Sequence, residues 1–379
     1  MDGMLAKVKM VTIRGRSYAL FSIIAGVVCV GLVGLVAFRY IHIARKALTP
    51  GIVYYVAPDG DDSQTGKSKA KPLKTIQKAL GRAEPGDTVE LGSGAYYQSV
   101  VSVRSGTEDS PITLRGTKDA VIFGNRSRVI EIHHDYLTLK GFQVNGHWSV
   151  GEAKENYRDK LIYVLGKQSK KGVEGLKLTG LLVQNAGGEC IRLRYFARDN
   201  EVSRSTIRNC GVWDFRLNDG GKNGEGIYIG TAPEQRKDGK NPTTGPDMSM
   251  RNHIHHNLIE THGNECVDIK EGAVQNLIEY NTCRHQLDSQ SGGFDARGNG
   301  NVFRYNTVED TAGAAVRLGG DSDKDGIGND VYGNVFRNNG KGPLNLQRSP
   351  QGKICGNSIG AQPDELDEYD GIDPSEPCD

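Results

Sequence analysis

Net charge is almost absent from this sequence, which has 47 Lys and Arg residues against 46 Asp and Glu residues and a formal charge of +1 at pH 7. Aromatic residues are also few, at 7% of the chain. A dedicated nucleic-acid-binding protein usually carries a strong basic field, so this composition argues against a nucleic-acid partner. An anionic partner would have to be bound by a local basic patch.

Several common catalytic motifs are missing as well. The chain has no Gly-x-Ser-x-Gly nucleophile motif, no phosphate-binding P-loop and no paired-cysteine zinc motif. Glycosidases need a close pair of carboxylates. Asp268 and Asp295 offer one such pair, but each lies two residues from a cation in the sequence. These absences argue against the corresponding classes of enzyme.

One long apolar run is present near the start, from Tyr18 to Phe38, and it carries no charge. About 20 apolar residues are enough to cross a bilayer as a helix. We therefore predict a transmembrane anchor at 18–40, a cytoplasmic tail at 1–17 and a linker at 41–51, with a cleaved signal peptide as the alternative. The chain would be a single-pass membrane protein with a cytoplasmic N-terminus and an extracellular or lumenal folded domain.

Seven cysteines are present, and six of them follow the apolar run. Disulfides persist in oxidising compartments, so an even set of cysteines beyond a membrane anchor is typical of disulfide bonding, while free buried thiols are the alternative. Cys355 with Cys378 is the first candidate pair. This bond would tie an acidic C-terminal tail at 361–379 to the rest of the domain.

The strongest pattern is an internal repeat of 24 to 28 residues, whose units begin at Asn252, Asn276, Asn301, Asn329 and Lys353. Each unit holds two or three short β-type runs separated by Gly, Asn or Asp, and leaves no room for a helix. Stacked units bury an apolar column that no single unit could bury. We therefore predict an all-β fold at 52–360, a monomeric, single-stranded, right-handed parallel β-helix.

Three further segments are assigned by pattern. The segment 72–87 predicts a capping helix that begins at Pro72, ends at Pro85 and covers the N-terminal end of the core, so that regular coils begin near Thr88. An excursion at 216–247 is predicted to form one wall of a groove. A structural ladder of stacked amides is predicted at Asn257, Asn281, Asn306, Asn334 and Asn357.

Alternation of side chains along one strand of each coil predicts which residues point outward. Inward apolar pairs, such as Val267 with Ile269, set the alignment of the coils. Lys270 and Arg297 then fall in one column on neighbouring coils, about 5 Å apart. The outward residues, coil by coil, are Arg192 and Arg194, Tyr228 and Gly230, Asp268 and Lys270, Asp295 and Arg297, Arg317 and Gly319, and Asn345 and Gln347.

This column has two interpretations. In the first, it is a groove floor that binds a polyanion, with Arg192, Arg194 and Arg317 widening the basic patch and a neighbouring cation lowering the pKa of Lys270 toward that of a general base. In the second, Asp268 and Asp295 neutralise the two cations in an exposed charge lattice of little energetic value.

Oxygen ligands gather next to this column. Asn223 and Glu225 precede one outward strand, and Asn264 and Glu265 occupy the corresponding place one coil later. Carboxylate and amide oxygens are the ligands that Ca²⁺ prefers, so these four residues are a candidate calcium site. The alternative is a pair of ordinary polar turns.

These residues resemble those of the parallel β-helix polysaccharide lyases of the alginate lyase and chondroitinase B type. In that family an Asn-Gly-x-Glu coil precedes a coil with Glu five residues before a catalytic Lys, and a catalytic Arg stacks on that Lys from the next coil. Asn223, Glu265, Lys270 and Arg297 match these positions. The first coil is one residue shorter here, and Gly263 stands where the family usually has a second Glu. The shared pattern covers about 175–320.

The resemblance implies β-elimination on an acidic, uronate-containing polysaccharide. Lys270 would take the C5 proton after the uronate carboxylate is neutralised, and Arg297 would stabilise charge or help protonate the departing O4. Arg317 or Arg192 would bind a neighbouring sugar carboxylate, and Arg194, Tyr228, Asp268 and Asp295 would line the substrate groove. A uronate C5-epimerase and a non-catalytic carbohydrate-binding surface protein are the alternatives.

Overall fold

A computed structural model describes residues 10–13, 16–19, 50–361 and 371–379 of the protein, which divides into two compact units, Met1–Gly51 and Ile52–Asp379. The first unit contains strands β1 (Met10–Ile13) and β2 (Arg16–Ala19), which pair antiparallel. All further elements belong to the second unit.

The predicted membrane location is contradicted. Among the described residues, no helix is both long and apolar enough to cross a membrane. Tyr18 and Ala19, which begin the predicted anchor, lie in β2 because their backbones pair with those of Val11 and Met10. The rest of that anchor, 20–40, lies outside the described residues. The predicted membrane partner and the orientation that depended on it are therefore withdrawn.

The described residues of the second unit form thirty short strands, and their brief length follows from the Gly, Asn and Asp residues that interrupt each apolar run. In chain order they are β3 (Val53–Val56), β4 (Thr88–Leu91), β5 (Gly94–Tyr96), β6 (Val100–Val101), β7 (Ile112–Arg115), β8 (Ala120–Ile122), β9 (Arg128–Ile132), β10 (Leu137–Lys140), β11 (Gln143–Asn145), β12 (Lys160–Leu165), β13 (Lys177–Thr179), β14 (Leu182–Gln184), β15 (Ile191–Arg194), β16 (Glu201–Ser203), β17 (Thr206–Arg208), β18 (Ile227–Ile229), β19 (His253–His255), β20 (Leu258–Glu260), β21 (Val267–Ile269), β22 (Leu277–Glu279), β23 (Thr282–Arg284), β24 (Gly292–Ala296), β25 (Val302–Arg304), β26 (Thr307–Glu309), β27 (Ala314–Leu318), β28 (Asp330–Tyr332), β29 (Val335–Arg337), β30 (Leu344–Leu346), β31 (Ile354–Cys355) and β32 (Ser358–Ile359).

These strands form three parallel sheets, to which each full coil contributes one strand apiece. The first sheet has 11 strands, the second 10 and the third 9. The third sheet, in the order β6, β9, β12, β15, β18, β21, β24, β27 and β30, carries the predicted outward column. The predicted all-β parallel β-helix is confirmed, with the correction that the first sheet begins at β3, well before Thr88.

The core runs along the inside of the coils, because alternate residues of each short strand point inward. Ile254 and Ile259 from the first two sheets, with Val267 and Ile269 from the third, are fully buried in one coil. Full burial of each such side chain contributes about 1.5–3 kcal/mol. The predicted inward pairs of the third sheet occupy these core positions, and Leu346, in the last strand of the sheet, is only partly buried.

Asparagine ladders run through the turns of the β-helix. In the predicted one, the Nδ2 of Asn257 donates to the Oδ1 of Asn281 at 2.9 Å, and the bond repeats from Asn281 to Asn306, from Asn306 to Asn334 and from Asn334 to Asn357. A second ladder, which the sequence analysis missed, precedes the first sheet and links Asn200, Asn252, Asn276, Asn301 and Asn329.

The helices are short. The cap helix α1 (Ile76–Arg82) begins later than predicted, because the Leu73 backbone bridges to Val56 in extended form and Thr75 is the N-cap. Ile76, Ala79 and Leu80 are buried against the core. The other helical segments are two 3₁₀ turns, Lys154–Asn156 and Pro233–Gln235, and a π-helix, Val212–Arg216.

Three disulfides link the six cysteines of this unit. Cys355–Cys378, which the sequence predicts, joins the described end of the tail to β31, and the amide of Asn357 also donates to the Pro374 carbonyl at 2.9 Å. The other two bonds are Cys190–Cys210 and Cys266–Cys283. The expected disulfide-bonded domain is therefore confirmed.

Candidate functional site

The third sheet sets the geometry of the site. Its register pairs Asp268 with Asp295, and Ile269 with Ala296. Lys270 and Arg297 directly follow these pairs, and their backbone N–H groups donate to the carbonyls of Ile229 and Ile269 at 2.9 and 2.8 Å. The two cations therefore leave neighbouring coils at equivalent positions.

Three buried carboxylates lie beside these cations. One oxygen from each of Glu225, Glu265 and Asp268 lies within 4.8 Å of the other two. Glu225 accepts a hydrogen bond from the Gly224 N–H at 2.9 Å, and Glu265 accepts one from the Ser291 hydroxyl. The second oxygen of Glu265 is buried without a hydrogen-bond partner. The Lys270 ammonium lies 2.5 Å from the Asp268 carboxylate.

Carboxylates this close repel one another and lose hydration. Burial, followed by the charge of Glu189, raises the pKa of Glu225 to about 7, although Lys270 opposes the shift. Burial, with the charges of Asp268 and Asp295, raises the pKa of Glu265 well above its usual value. The carboxylates at this site therefore carry more negative charge than the neighbouring lysine and arginine side chains balance.

Lys270 is held as a cation by this cluster. Burial is the largest single influence and lowers the pKa of Lys270, but the negative charge of Asp268, together with smaller contributions from Tyr228 and Glu265, raises it by more. The Arg297 cation lowers the pKa by a smaller amount. The net pKa lies well above the ordinary lysine value, so the predicted lowering of the Lys270 pKa toward that of a general base is wrong: the neighbouring cation acts in the expected direction, but the carboxylates outweigh it.

Arg297 and Arg317 form ion pairs that differ from those expected for an exposed charge lattice. Arg297 lies 3.3 Å from Glu271 and 3.0 Å from Asp321, whereas Asp295 pairs with Arg317. Asp268 and Asp295 are fully buried. The charges therefore form a recessed network, and not the exposed lattice of the second interpretation.

Arg192 and Arg194 do not reach the groove floor. They are 3% and 1% exposed, because segment 230–247 lies over them. Arg194 bonds to Asn241 and Asp238 at 2.5 and 2.8 Å, and Arg192 pairs with Glu189 at 2.8 Å. Their predicted role in substrate binding is corrected: both arginines anchor the excursion to the coils.

Tyr228 is also recessed, and it lies between two cations. The Arg192 guanidinium is 4.0 Å from its ring centroid and the Lys270 ammonium is 4.9 Å away, while its hydroxyl lies 3.3 Å from Gln235. A cation over an aromatic face is attracted by the ring quadrupole. Tyr228 therefore helps to fix the position of Lys270.

The two predicted amide ligands differ in placement. Asn264 is buried, donates to the Lys222 carbonyl at 2.7 Å and leaves its Oδ1 without a hydrogen-bond partner. Asn223 is exposed, and its Nδ2 donates to Asp214 at 3.1 Å. Asn264 therefore adds an uncompensated oxygen beside the carboxylates, and Asn223 lies at the rim.

These groups open into one cleft of about 330 Å³. Glu225, Glu265 and Lys270 lie at its floor, with Asp268 buried beneath them; one side is formed by Lys222, Asp288 and Gln290, and Glu234 and Gln235 form the other. Lys222 forms an ion pair with Asp288 at 2.9 Å, which links the residues of the first of these two sides. We call this space the cleft; its remaining lining residues are Asn223, Tyr228, Asn264, Ser291, Arg297 and Arg317.

Parts of the sequence are similar to a protein family and to two known proteins. A family of proteins of unknown function, DUF1565, matches residues 58–129. The uncharacterized protein YwoF of Bacillus subtilis (strain 168) is 28% identical over 158 residues, 39% of this chain and 33% of that protein. Pectate lyase PEL9 of Emericella nidulans is 38% identical over 74 residues, 18% of each protein. The chain thus aligns with a third or less of either curated relative.

Solved structures extend the likeness over most of the chain. The alginate lyase from Paenibacillus sp. str. FPU-7 has a TM-score of 0.59 and 21% identity, over 77% of this chain and 96% of that one. Pectate lyase Pel9A has a TM-score of 0.51 and 14% identity, over 80% and 79%. The fold is a pectate-lyase-like right-handed β-helix. The predicted resemblance is confirmed at this level.

Several residues of this β-helix site were missed by the sequence analysis. Glu189 occupies the same position before its strand as Glu225 and Glu265, so the alignment of coils could have found it. Glu271 directly follows Lys270 and is buried against Arg297. Ser291 and Asp321 lie in turns, where no sequence pattern predicts a partner.

The raised pKa of Glu225 predicts how stability depends on pH when chelator is present. Glu225 in the folded β-helix keeps its proton up to about pH 7, whereas the unfolded chain releases it near the usual 4.5. The free energy of unfolding should therefore fall as pH rises through this window and should level off above it.

Urea unfolding in EDTA at pH values on both sides of the window would measure this dependence. Glu225→Gln removes one titrating group and should make the slope shallower, while Glu265, whose pKa is also raised, keeps part of it. An unchanged slope in that variant would contradict the assignment.

Proposed function

We propose that this protein is a polysaccharide lyase that cleaves a uronate-containing, acidic polysaccharide by β-elimination. The observation that carries the proposal is the pair Lys270 and Arg297, on neighbouring coils, beside the buried carboxylates at the floor of an open cleft. A lysine and an arginine above a recessed acid cluster serve no evident purpose in a purely adhesive surface.

The chemistry assigns a step to each cation. The base removes the C5 proton of the uronate, the C4–O4 bond breaks with its electron pair leaving on O4, and a C4–C5 double bond remains. Lys270, whose side chain is 12% exposed and directed to the cleft, is the base in its neutral form. Arg297 lies beside it and stabilises the negative charge that develops on the sugar.

A calcium ion fits the carboxylate cluster. Glu225, Glu265 and Asp268 offer converging oxygens, and the Oδ1 of Asn264 and the Oε2 of Glu265 have no hydrogen-bond partner. Hard oxygen ligands of this kind are the ones that Ca²⁺ takes. When bound there, Ca²⁺ would neutralise the uronate carboxylate and offset the negative charge that keeps Lys270 protonated.

The comparisons support a substrate of the same class. Two proteins with similar folds carry the names alginate lyase and pectate lyase, which state the acidic polymers that they cleave. Arg317 lines the same cleft and has one carboxylate partner, Asp295. It is therefore our candidate for binding the carboxylate of a neighbouring sugar.

The test is to incubate the full chain, with Ca²⁺, with alginate, pectate, dermatan and related uronate polymers. A rise in the ultraviolet absorbance of unsaturated uronates on one polymer would support the lyase and identify its substrate. Exchange of the C5 proton in deuterated water without chain cleavage would favour the epimerase. Binding with neither reaction would favour the carbohydrate-binding alternative.

Calcium binding makes a separate prediction. Calcium at about 100 times its dissociation constant should add about 2.7 kcal/mol to the free energy of unfolding. Glu265→Gln removes a charged ligand and should abolish most of this gain.

Glu309→Gln, in the partly exposed charge lattice of the second sheet, is the matched control and should keep the gain. Isothermal titration calorimetry and thermal unfolding measure both variants. An equal gain in Glu265→Gln and wild type would exclude this calcium site.

A further inference from the structure

A second cavity lies beside the third sheet, since two of its lining residues, Ser127 and Asp159, directly precede β9 and β12. Its volume is about 390 Å³, within the range of ligand pockets. We call it the upstream cavity; it is lined by Ser127, Lys154, Glu155, Tyr157, Arg158, Asp159 and Trp213. Two of these residues are aromatic and two are cations, a combination that suits an anionic sugar.

Arg158 is the distinctive group of the upstream cavity. Its guanidinium lies 4.4 Å from the Trp148 ring centroid and donates to the Gly124 carbonyl at 3.1 Å, which fixes its plane. Its Nε is buried without a hydrogen-bond partner. Across 50–361 and 371–379, no carboxylate lies within ion-pair distance of this guanidinium. A fixed, unpaired guanidinium is suited to receive a carboxylate from outside.

The acidic lining residues do not compete for that role. Asp159 is paired with Lys160, whose ammonium lies 2.9 Å from both Asp159 carboxylate oxygens and 2.6 Å from Glu189. Glu155 is exposed to solvent. Burial lowers the pKa of Arg158, which is the direction expected of a cation without an anionic partner.

Trp213 supplies an apolar surface next to this cation. Its ring lies so close to Gly187 that a Cβ there would be 2.3 Å from the indole, and its Nε1 donates to the Lys154 carbonyl at 3.0 Å. The ring is therefore fixed against the coil. Lys154 reaches over it, with its ammonium 5.0 Å from the ring centroid.

The upstream cavity and the cleft are connected through one segment. Trp213 lines the upstream cavity, the next residue Asp214 accepts two hydrogen bonds from Asn223, and Asn223 lines the cleft. Along the third sheet, β12 is separated from β21 by two strands. At about 4.8 Å per strand this is roughly 14 Å along the stack, a distance that a few linked sugars span.

We infer that the upstream cavity binds a distal, negatively charged sugar of the polyuronate whose other end occupies the cleft, with Arg158 on the carboxylate and Trp213 against the ring. The inference rests on the proposed function for the identity of the polymer. It commits the site to acidic sugars, because a neutral sugar would leave the guanidinium unpaired.

The test measures binding in a Lys270→Ala background, so that the polymer is not consumed. The ligands are polymannuronate, polyguluronate and polygalacturonate, fractionated from dimers to decamers. Affinity should rise with length until the chain spans both sites. Arg158→Gln should lower the affinity for long chains about tenfold and leave dimer affinity unchanged, because a charge-assisted hydrogen bond is lost only when the upstream cavity is occupied.

Control variants test whether the loss of affinity is specific to the upstream cavity. Arg204→Gln removes an exposed arginine from the turn between the first two sheets and should not change affinity. Trp213→Ala should repeat the loss, and Trp213→Phe, which keeps an aromatic ring, should restore most of it. Circular dichroism verifies that each variant is folded.

Long chains that bind equally well to the Arg158→Gln and Arg204→Gln variants would overturn the inference, as would affinity that does not depend on length. If wild type cleaves none of these polymers but Arg158→Gln still weakens their binding, the proposed reaction fails and the inference stands. If cleavage occurs and Arg158→Gln has no effect on binding, the proposed function stands and the inference fails.

Discussion

Lys270→Ala should reduce the rate of elimination by about 100- to 10,000-fold, the usual contribution of a general base. The reason is geometric as well as chemical, since Lys270 extends from the end of β21 into the cleft between Tyr228 and Asp268. No other lysine lines the floor of the cleft among the described residues, and Lys222 is tied to its wall by Asp288. The measurement is kcat on the polymer that the wild type cleaves fastest.

Lys270→Arg separates a base from a simple cation. Arginine keeps the positive charge but cannot give up its proton near neutral pH, so this variant should be as inactive as Lys270→Ala. Lys140→Ala, at an exposed position on the first sheet, is the matched control and should retain full activity. Substantial activity in Lys270→Arg would show that Lys270 acts through its charge and that another group takes the proton.

Asn281→Ala should cost about 4 kcal/mol of unfolding free energy, because it opens the middle of the predicted asparagine ladder. The side chain is 1% exposed. Its Nδ2 donates to the carbonyls of Ile254 and Glu279 at 2.8 and 3.0 Å, and its Oδ1 accepts from the backbone and side chain of Asn257. Alanine would leave these groups buried and unpaired.

Asn338→Ala is the comparison for this variant. Asn338 is an exposed turn asparagine with one side-chain bond, to Asp310 at 2.6 Å, and a φ of 49° that alanine adopts less readily, so Asn338→Ala should cost about 1 kcal/mol. Urea unfolding followed by circular dichroism gives both values. Equal costs for Asn281→Ala and Asn338→Ala would mean that the ladder adds little to stability.

The interior of the β-helix could be predicted because its signals are local and repeated. Side chains alternate along a strand with a period of two, and one coil aligns with the next through the same apolar positions. This reasoning placed Lys270 and Arg297 on neighbouring coils and aligned Asp268 with Asp295. It also found the ladder through Asn281, since each coil repeats the asparagine at the same point.

Contacts between segments that are distant in the sequence could not be predicted from these periodic patterns. Arg192 and Arg194 occupy outward positions in the alternation, yet segment 230–247 lies over them, and no local pattern states where a long excursion packs. The same limit explains why the segment that connects Trp213 to Asn223, and with it the upstream cavity, was found only in the folded chain.

The sequence by itself determined the all-β parallel β-helix, the core column and the residues that share each outward column, because these depend on periodic patterns along the chain. The tertiary structure alone decided which of those outward residues stay accessible, which carboxylate pairs with which arginine, and the direction of the pKa shift of Lys270. The physical reason is that burial and Coulomb energy depend on distances through space, here between coils and loops that are separated by tens of residues.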